Sequence, residues 1–482
     1  MVFSSLFFLF FFLPLNLICY YFAPSLRAKN IVMLIFSLLF YAWGEPVYLF
    51  LLIGMSLADW LIALYIGKQR SKSGKAKFGL VLMCIVNLGL LSIFKYGTFI
   101  MENLNAITGF PESIPNILLP IGISFYTFQL MSYVIDVYKG DTESQKNYFI
   151  LLLYVSLFHQ CIAGPIVRYK DVRDALLNRS VDNVGISYGV WRFAIGLAKK
   201  SVLANVCGSV ADSLLGIVGS DGASALLSER SVVAVWVGVL AYSLQIYLDF
   251  SAYSDMAIGM GSMIGIKYME NFDYPYMSKS VSEFWRRWHI SLGSFFRDYL
   301  YIPLGGNRTG ILRTVFNLFI VWFFTGMWHG ASWNFILWGL YFFIFILLEK
   351  LFLNKILEKN KLISHIYLLI VVYFGWILFR FKNMKLILVT LKSMFGINGN
   401  VLCDFETGTV ILNNVLILVI AVIASTSLIK SICDKFKNLS LNNGVVFSVY
   451  SIARILWPII LLLFSTAALV GDSYNPFLYF QF

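Results

Sequence analysis

The 482-residue chain has little charge. Asp, Glu, Lys and Arg make up 13% of it, against 59% hydrophobic and 17% aromatic residues. Soluble domains carry roughly 25% charged residues, so this chain cannot clothe a soluble core of its length in polar side chains. An ordinary cytosolic enzyme, a disordered tail and a secreted disulfide scaffold are excluded together. The six cysteines (Cys19, Cys84, Cys161, Cys207, Cys403 and Cys433) stand singly, with no C-x-x-C pair. Neither a disulfide framework nor a zinc site is indicated. There are only four histidines. The sequence holds no P-loop, no G-x-G-x-x-G, no HExxH and no G-x-S-x-G, and no repeat at a fixed period.

What it does hold is a series of apolar stretches near 20 residues long, the length a helix needs to cross a hydrocarbon core of about 30 Å. The fold class expected is an all-α polytopic membrane protein forming a single domain over 1–482. About twelve spans are expected at 3–22, 30–43, 47–66, 78–98, 117–138, 187–206, 232–250, 311–328, 333–350, 363–379, 410–429 and 448–470. The first is read as an uncleaved span, because the first basic residue, Arg27, follows it and no small-residue cleavage site lies close by. The 30–43 stretch is short: its residues would rise only about 21 Å, so it is either tilted across a thinned bilayer or re-entrant. The apolar run 147–163 is a re-entrant candidate.

The net charge of +12, from 37 Lys and Arg against 25 Asp and Glu, suggests nucleic-acid binding only until topology is tested. With the N-terminus outside, 25 of the 37 basic residues fall on the cytoplasmic side, including the cluster at 68–77. Five fall outside: Arg230, Arg380, Lys382, Lys385 and Lys392. That asymmetry is the positive-inside rule. The basic stretch 380–392 runs against it, and is either an interfacial helix or a sign that the span count is off by one there.

Residues 251–310 are neither a clean span nor a polar loop; aromatic, Arg, Asp and Gly residues interleave. Ser280 and Glu283 fit a capping box after Pro275, which predicts a helix starting at Ser280. On it Glu283 and Arg287, and Trp285 and His289, would be i,i+4 pairs. Residues 303–308 (PLGGNR) read as a turn. Irregular backbone at membrane depth is tolerated only where it is buried in protein or lines a cavity, so a cavity opening toward the cytoplasm is inferred.

An ionisable side chain at membrane depth is by default a functional candidate. His329 sits in FFTGMWHGASWNF, beside Trp328, with Trp333 at i+4 if the helix continues. Such a histidine can act as general base on a hydroxyl during acyl transfer; equally, it can be a buried histidine hydrogen-bonded for packing. His289 lies in FWRRWHIS, where Arg286 and Arg287 could meet a phosphate and Trp285 and Trp288 could stack on substrate, or all could form a juxtamembrane aromatic-basic belt. Asp249, Ser251 and Asp255 either line a polar channel, cap the next helix or pair with Arg297, with structural support slightly favoured. His159 reads as a satisfied buried histidine and His365 as a residue at the mouth of a span.

The run ENFDYPYMSKSVSEFWRRWHISLGSFFRDYLYIPLGGNR (270–308) and the run GMWHGASWNFILWG (326–339) resemble the membrane-bound O-acyltransferase family. LDFSAYSDMAIG (248–259), QCIAGPIVRY (160–169) and the terminal YNPFLYFQF (474–482) support the likeness, which spans nearly the whole chain. RDYLYIPLGGNR is similar to the bacterial alginate O-acetyltransferase branch. The resemblance implies many helices around a central pore with a funnel on each side. It implies that 251–310 is a cytoplasmic-side motif segment and 311–350 the catalytic-histidine region. The family's catalytic histidine maps onto His329 and its second motif histidine onto His289. The implied donor is acetyl-CoA, a substrate, with no bound cofactor and no metal. Acetyl groups would pass to extracellular polysaccharide, often through a secreted or membrane-anchored Ser-hydrolase-like partner, at a bacterial plasma membrane. Asn334 is a candidate oxyanion donor.

Three other readings remain at this point. D-alanyl transfer to teichoic acid would need a carrier-protein donor. A transporter would also show polar residues in a pore, but no paired broken helices or inverted repeat is found. A non-catalytic scaffold would make both histidines dispensable.

Overall fold

A computed structural model of the chain describes residues 1–69, 73–110, 114, 117–162, 164–217, 223–308, 310–471 and 474–476. Among these no β-strand forms; the only sheet-like pairing is an isolated antiparallel bridge between Phe272 and Trp288. Two basic residues counted in the cytoplasmic set, Arg70 and Lys72, and residues 477–482 of the terminal run lie outside the described residues.

Ten described helices are long and apolar enough to cross a membrane: Leu26–Gly44, Tyr48–Gly67, Gly74–Thr108, Asn183–Leu215, Val232–Met263, Ile311–His329, Trp333–Leu357, Lys361–Arg380, Phe405–Ala424 and Gly444–Gly471. The chain is therefore an all-helical, multi-pass membrane protein. Two of the twelve expected spans are shorter. The first is Phe8–Phe22, which begins with a π-helical turn over Phe8–Phe12. The fifth is Ile123–Lys139, 17 residues.

Several boundaries differ from expectation for local reasons. The short 30–43 stretch is a full helix of 19 residues, because Ser25 caps its N-terminus and accepts from the Ala28 N–H at 3.2 Å. Arg27 and Lys29, read as loop, form its first turn. Its rise of about 28 Å removes the need for thinning or re-entry. The 232–250 span runs on to Met263, so Asp249, Ser251 and Asp255 are helical and buried rather than following the span. The described residues of 147–163 hold only the nine-residue helix Tyr148–Ser156, capped by Asn147. At about 13 Å it cannot cross. The anomalous basic stretch 380–392 overlaps the 11-residue helix Met384–Met394, whose end is tied down where Trp236 Nε1 donates to the Met394 carbonyl at 2.9 Å.

The chain divides into two compact units. The first comprises 1–193, 254–270 and 294–300; the second comprises 194–253, 271–293 and 301–482. In the first, the two short return segments are fastened by polar and aromatic contacts. Tyr20 donates to the Ile264 carbonyl at 2.9 Å, and Arg192 pairs with Asp255 and Glu270, each at 2.6 Å. Tyr299 donates to both oxygens of Asp136 at 2.9 Å, and Phe128 stacks on Phe295 at 4.2 Å. His159 is buried there with Nδ1 at 3.3 Å from the Tyr268 hydroxyl. Burial, reinforced by Arg179, pushes its pKa down to about 3, as a neutral packing histidine requires. The second unit is organised around an aromatic core that includes Trp288, Trp322, Trp338, Phe342, Trp376 and Phe379. Both motif histidines belong to it.

Candidate active site

The WRRWH segment is set by two helix ends. Ser280 caps the helix Val281–Arg287 and accepts from the Glu283 N–H at 3.0 Å. The Glu283 carboxylate reaches back one residue further than a standard capping box, accepting from the Lys279 N–H at 2.9 Å. The same N-terminus is held by a buried carboxylate from elsewhere. Glu349, in a π-helical turn over Glu349–Leu353, accepts from Val281 N at 2.5 Å, Ser282 N at 2.9 Å and Ser282 Oγ at 2.6 Å. An anion at a helix N-terminus is favoured by both the open N–H groups and the dipole.

At its other end the helix stops. Trp288 is extended and His289 takes a φ of +46°, in the left-handed region that a non-glycine side chain rarely occupies. The expected i,i+4 pair of Trp285 and His289 therefore does not form on one helix, whereas Glu283 and Arg287 do pair, at 2.9 Å. The turn is stabilised by Asn271, whose Oδ1 accepts from Ser291 N at 3.1 Å and Ser291 Oγ at 2.9 Å and lies 3.3 Å from His289 Nδ1. Burial pushes the His289 pKa down to about 3, so the ring is neutral and Nδ1–H donates to Asn271. Backbone in so sparse a region is kept only where the surroundings over-determine it, commonly at functional sites.

His329 is the last residue of the helix Ile311–His329 and is 6% exposed. The helix ends because Gly330 is extended, and a new helix starts at Trp333 after Ser332. Trp333 begins that second helix, 53% exposed, and so does not follow His329 along one continuous helix. Instead the imidazole meets the rings of Trp338 at 4.9 Å, Trp328 at 5.1 Å and Phe379 at 5.3 Å. Trp328 also touches His289, at 5.7 Å, and Phe250 lies 4.8 Å from His289 on the other helix. One tryptophan ring thus contacts both histidines. The two helices that flank His329 cross at a glycine pair: a Cβ on Gly339 would lie 3.1 Å from the Gly326 Cα and against the Trp322 carbonyl oxygen. Only glycine permits that approach.

The remaining sequence candidates separate. Asp249 pairs with the equally buried Lys200 at 2.7 Å. Ser251 Oγ lies 3.4 Å from its own helix's Leu248 carbonyl. Asp255 belongs to the other unit and pairs with Arg192, not with Arg297, which pairs with Asp298 at 2.7 Å. Arg286 is exposed, while Arg287 is engaged by Glu283 and by Asp273 at 3.6 Å. Trp288 is buried against Phe284 at 5.5 Å and Trp376 at 4.9 Å, and Trp285 packs on Trp322, Trp338 and Phe342. Asn334, fully buried, has its amide donors turned to the Leu378 and Phe379 carbonyls at 3.0 and 3.5 Å and its oxygen to Ser332. It ties two helices together and is not a free oxyanion donor. His365 Nδ1 donates to the Ser278 carbonyl at 3.0 Å. Among the described residues no cluster of His, Cys, Asp and Glu could hold a metal ion.

Sequence reasoning missed Lys200, Asn271, Trp338 and Glu349. Lys200 and Glu349 carried a usable signal, an ionisable group inside an apolar run. Asn271 did not. Described residues of the terminal run join the same unit: Tyr474 donates to Asp212 Oδ2 at 2.6 Å, and Lys200 also donates to the Pro476 carbonyl.

Residues 144–390 match the membrane-bound O-acyltransferase family, a stretch that contains both histidines. The chain is 38% identical to the probable alginate O-acetylase of Pseudomonas putida over the full length of both proteins. It is 35% identical to the peptidoglycan O-acetyltransferase of Helicobacter pylori, covering 84% of this chain and 82% of the relative. It is 25% identical to the teichoic acid D-alanyltransferase of Bacillus subtilis, covering 57% of this chain and 68% of the relative. With a buried histidine at a broken helix end and a second in a strained turn beside it, the chain belongs to the membrane-bound O-acyltransferase family and is a multi-pass O-acyltransferase.

Proposed function

We propose that the protein moves an acetyl group from cytoplasmic acetyl-CoA through a central pore toward hydroxyl groups of an extracellular polysaccharide, at a bacterial plasma membrane. A membrane-anchored or secreted Ser-hydrolase-like partner receives the group on the outer side. The relatives named for acetylation of alginate and of peptidoglycan, both of them polysaccharide-containing polymers, support acetyl as the group and a glycan as the acceptor. The observation that carries the reading is His329: buried, at the end of its helix and walled by aromatic rings. A neutral imidazole in a water-poor aromatic site can take the acceptor's proton as its oxygen attacks the thioester, and the same seclusion limits hydrolysis. His289, kept neutral by burial, positions the neighbouring Trp328. Exposed Arg286 is available to the phosphates of coenzyme A on the cytoplasmic side.

D-Alanyl transfer from a carrier protein is the second reading, and the lower, partial identity to the D-alanyltransferases speaks against it. Purified protein in vesicles separates the two: thiol release from acetyl-CoA is expected, and transfer only from an aminoacylated carrier protein would overturn the acetyl reading. His329→Ala is expected to abolish polymer acetylation while membrane insertion and expression persist. Near-normal acetate content in that variant would remove His329 from the chemistry.

A further inference from the structure

The aromatic cluster that includes His329 holds two buried hydrogen-bond donors with no acceptor among the described residues. Trp338 is 1% exposed and its Nε1 is buried with no acceptor among the described residues; Trp285 Nε1 is likewise buried without an acceptor. The two indoles meet edge to face at 5.3 Å, and Trp338 meets the His329 ring at 4.9 Å. Buried tryptophan N–H groups usually find a partner, and leaving one unmet is destabilising. The other side-chain amide near the histidine is committed, since Asn334 donates to the Leu378 and Phe379 carbonyls. Elsewhere in the same core Trp376 Nε1 does find an acceptor, the Tyr276 hydroxyl at 3.0 Å, and away from it Trp236 Nε1 finds the Met394 carbonyl. Trp338 and Trp285 thus place two buried indole N–H groups side by side, the first on a ring that packs against His329.

We propose that the Trp338 N–H, assisted by that of Trp285, is the oxyanion donor of the acyl transfer: both are held unpaired in the aromatic wall to receive the carbonyl oxygen of the acyl thioester. The proposal rests on the reading of His329 as the base. The acceptor's hydroxyl oxygen bonds to the thioester carbonyl carbon while its proton passes to the His329 imidazole. The carbonyl π pair moves onto oxygen, and that oxyanion accepts the indole N–H groups. Collapse re-forms the carbonyl and breaks the C–S bond. The departing thiolate takes the proton from the imidazolium. Donors fixed in a dry site act on the charge as it develops and need no reorganisation. Trp338 is then a catalytic residue, and the aromatic core is also the scaffold that aims its N–H.

The test replaces Trp338 by 3-benzothienylalanine, which keeps the fused ring and substitutes sulfur for the N–H, in the full chain reconstituted in vesicles with acetyl-CoA as donor. Thermal stability reports folding, and Trp338→Phe serves as a second variant that also lacks the N–H. The expected result is a fall in kcat of about 10²–10³-fold, the range for losing one oxyanion donor, with KM for acetyl-CoA and the melting temperature unchanged. The same replacement at Trp285 is expected to cost less. A kcat at the wild-type value, or a loss carried by KM alone, in a folded isosteric variant overturns the inference. His329→Ala run in parallel keeps the two readings apart: its inactivity beside an active Trp338 isostere sinks only the donor assignment, whereas its activity sinks the base assignment on which the donor depends.

Discussion

The glycine pair beside His329 gives a test whose outcome the backbone already constrains. Gly339→Ala puts a methyl group against the Trp322 carbonyl oxygen, 3.1 Å from the Gly326 Cα and 3.2 Å from the Gly326 N. All three neighbours are backbone atoms, so no side chain can swing aside, and the helices Ile311–His329 and Trp333–Leu348 must separate by roughly 0.5–1 Å to restore ordinary carbon contacts near 3.5–4.0 Å. Overpacking of that kind costs about 1–3 kcal/mol, and the alanine returns about 1 kcal/mol through helix propensity. The expected balance is a destabilisation of about 1–2 kcal/mol. The larger effect is catalytic. His329 and Trp338 sit on opposite helices of this crossing, and a displacement approaching 1 Å at the chemistry can cost about 10²-fold. Gly54→Ala and Gly89→Ala are the controls, because a Cβ at either position meets nothing within 4 Å; both are expected to match or slightly exceed wild-type stability. Melting temperature in one detergent and acetyl transfer in vesicles are read for all three variants. If Gly339→Ala retains wild-type turnover, the crossing does not set the site's geometry and the argument from close approach is wrong.

Other perturbations follow from the same contacts. Glu349→Ala leaves Val281 N and Ser282 N without their carboxylate; at about 1–3 kcal/mol for each buried unmet group, a loss of about 2–4 kcal/mol is expected, seen as a lower melting temperature and less folded protein. Lys200→Met leaves the 2%-exposed Asp249 carboxylate without its 2.7 Å ion pair. That is expected to cost about 3–5 kcal/mol, and the double variant with Asp249→Leu is expected to recover most of it. A double variant no more stable than Lys200→Met would show that the pair is not the source. Acid should destabilise the fold through His289 and His159, both pushed from 6.5 down to about 3. Between those values the unfolded chain binds protons the folded chain refuses, so stability is complete above pH 6.5 and is lost as pH falls through that window toward 3. Melting temperatures from pH 7 to pH 4.5 should decline, and His159→Gln with His289→Gln should flatten the decline.

The apolar spans were legible because burial in lipid needs little more than length and composition, and each of the ten long helices overlaps a stretch read as a span. Their ends were less so. Ser25 recruited Arg27 and Lys29 into a first turn, and Asp249 and Asp255 entered a helix because Lys200 and Arg192, distant in sequence, neutralise them. No local pattern announces a partner about fifty to sixty residues away. The site divides along the same line. His329 and Trp328 could be picked out at a span end and His289 in the irregular 251–310 segment, and the structure brings all three together. The relation between Trp285 and His289 could not, because it was inferred from an uninterrupted helix, and His289 turns left-handed where the helix should have continued.

That failure of helical periodicity is informative about the chemistry. Both histidines sit where a helix stops: His329 before extended Gly330, His289 in a left-handed turn held by Asn271. A side chain in the middle of a membrane helix is flanked by its own neighbours at three and four residues and faces one packing partner. At a terminus it is free of the following turn and can be enclosed from several directions, as His329 is by rings from its own helix, from Trp338 and from Phe379. A chain with 13% charged residues has few groups with which to build a reactive centre. Breaking the helices where those groups lie lets an imidazole and an indole N–H converge without adding any charge to the membrane. Inserting residues that continue either helix through its break should therefore abolish transfer while leaving the spans intact.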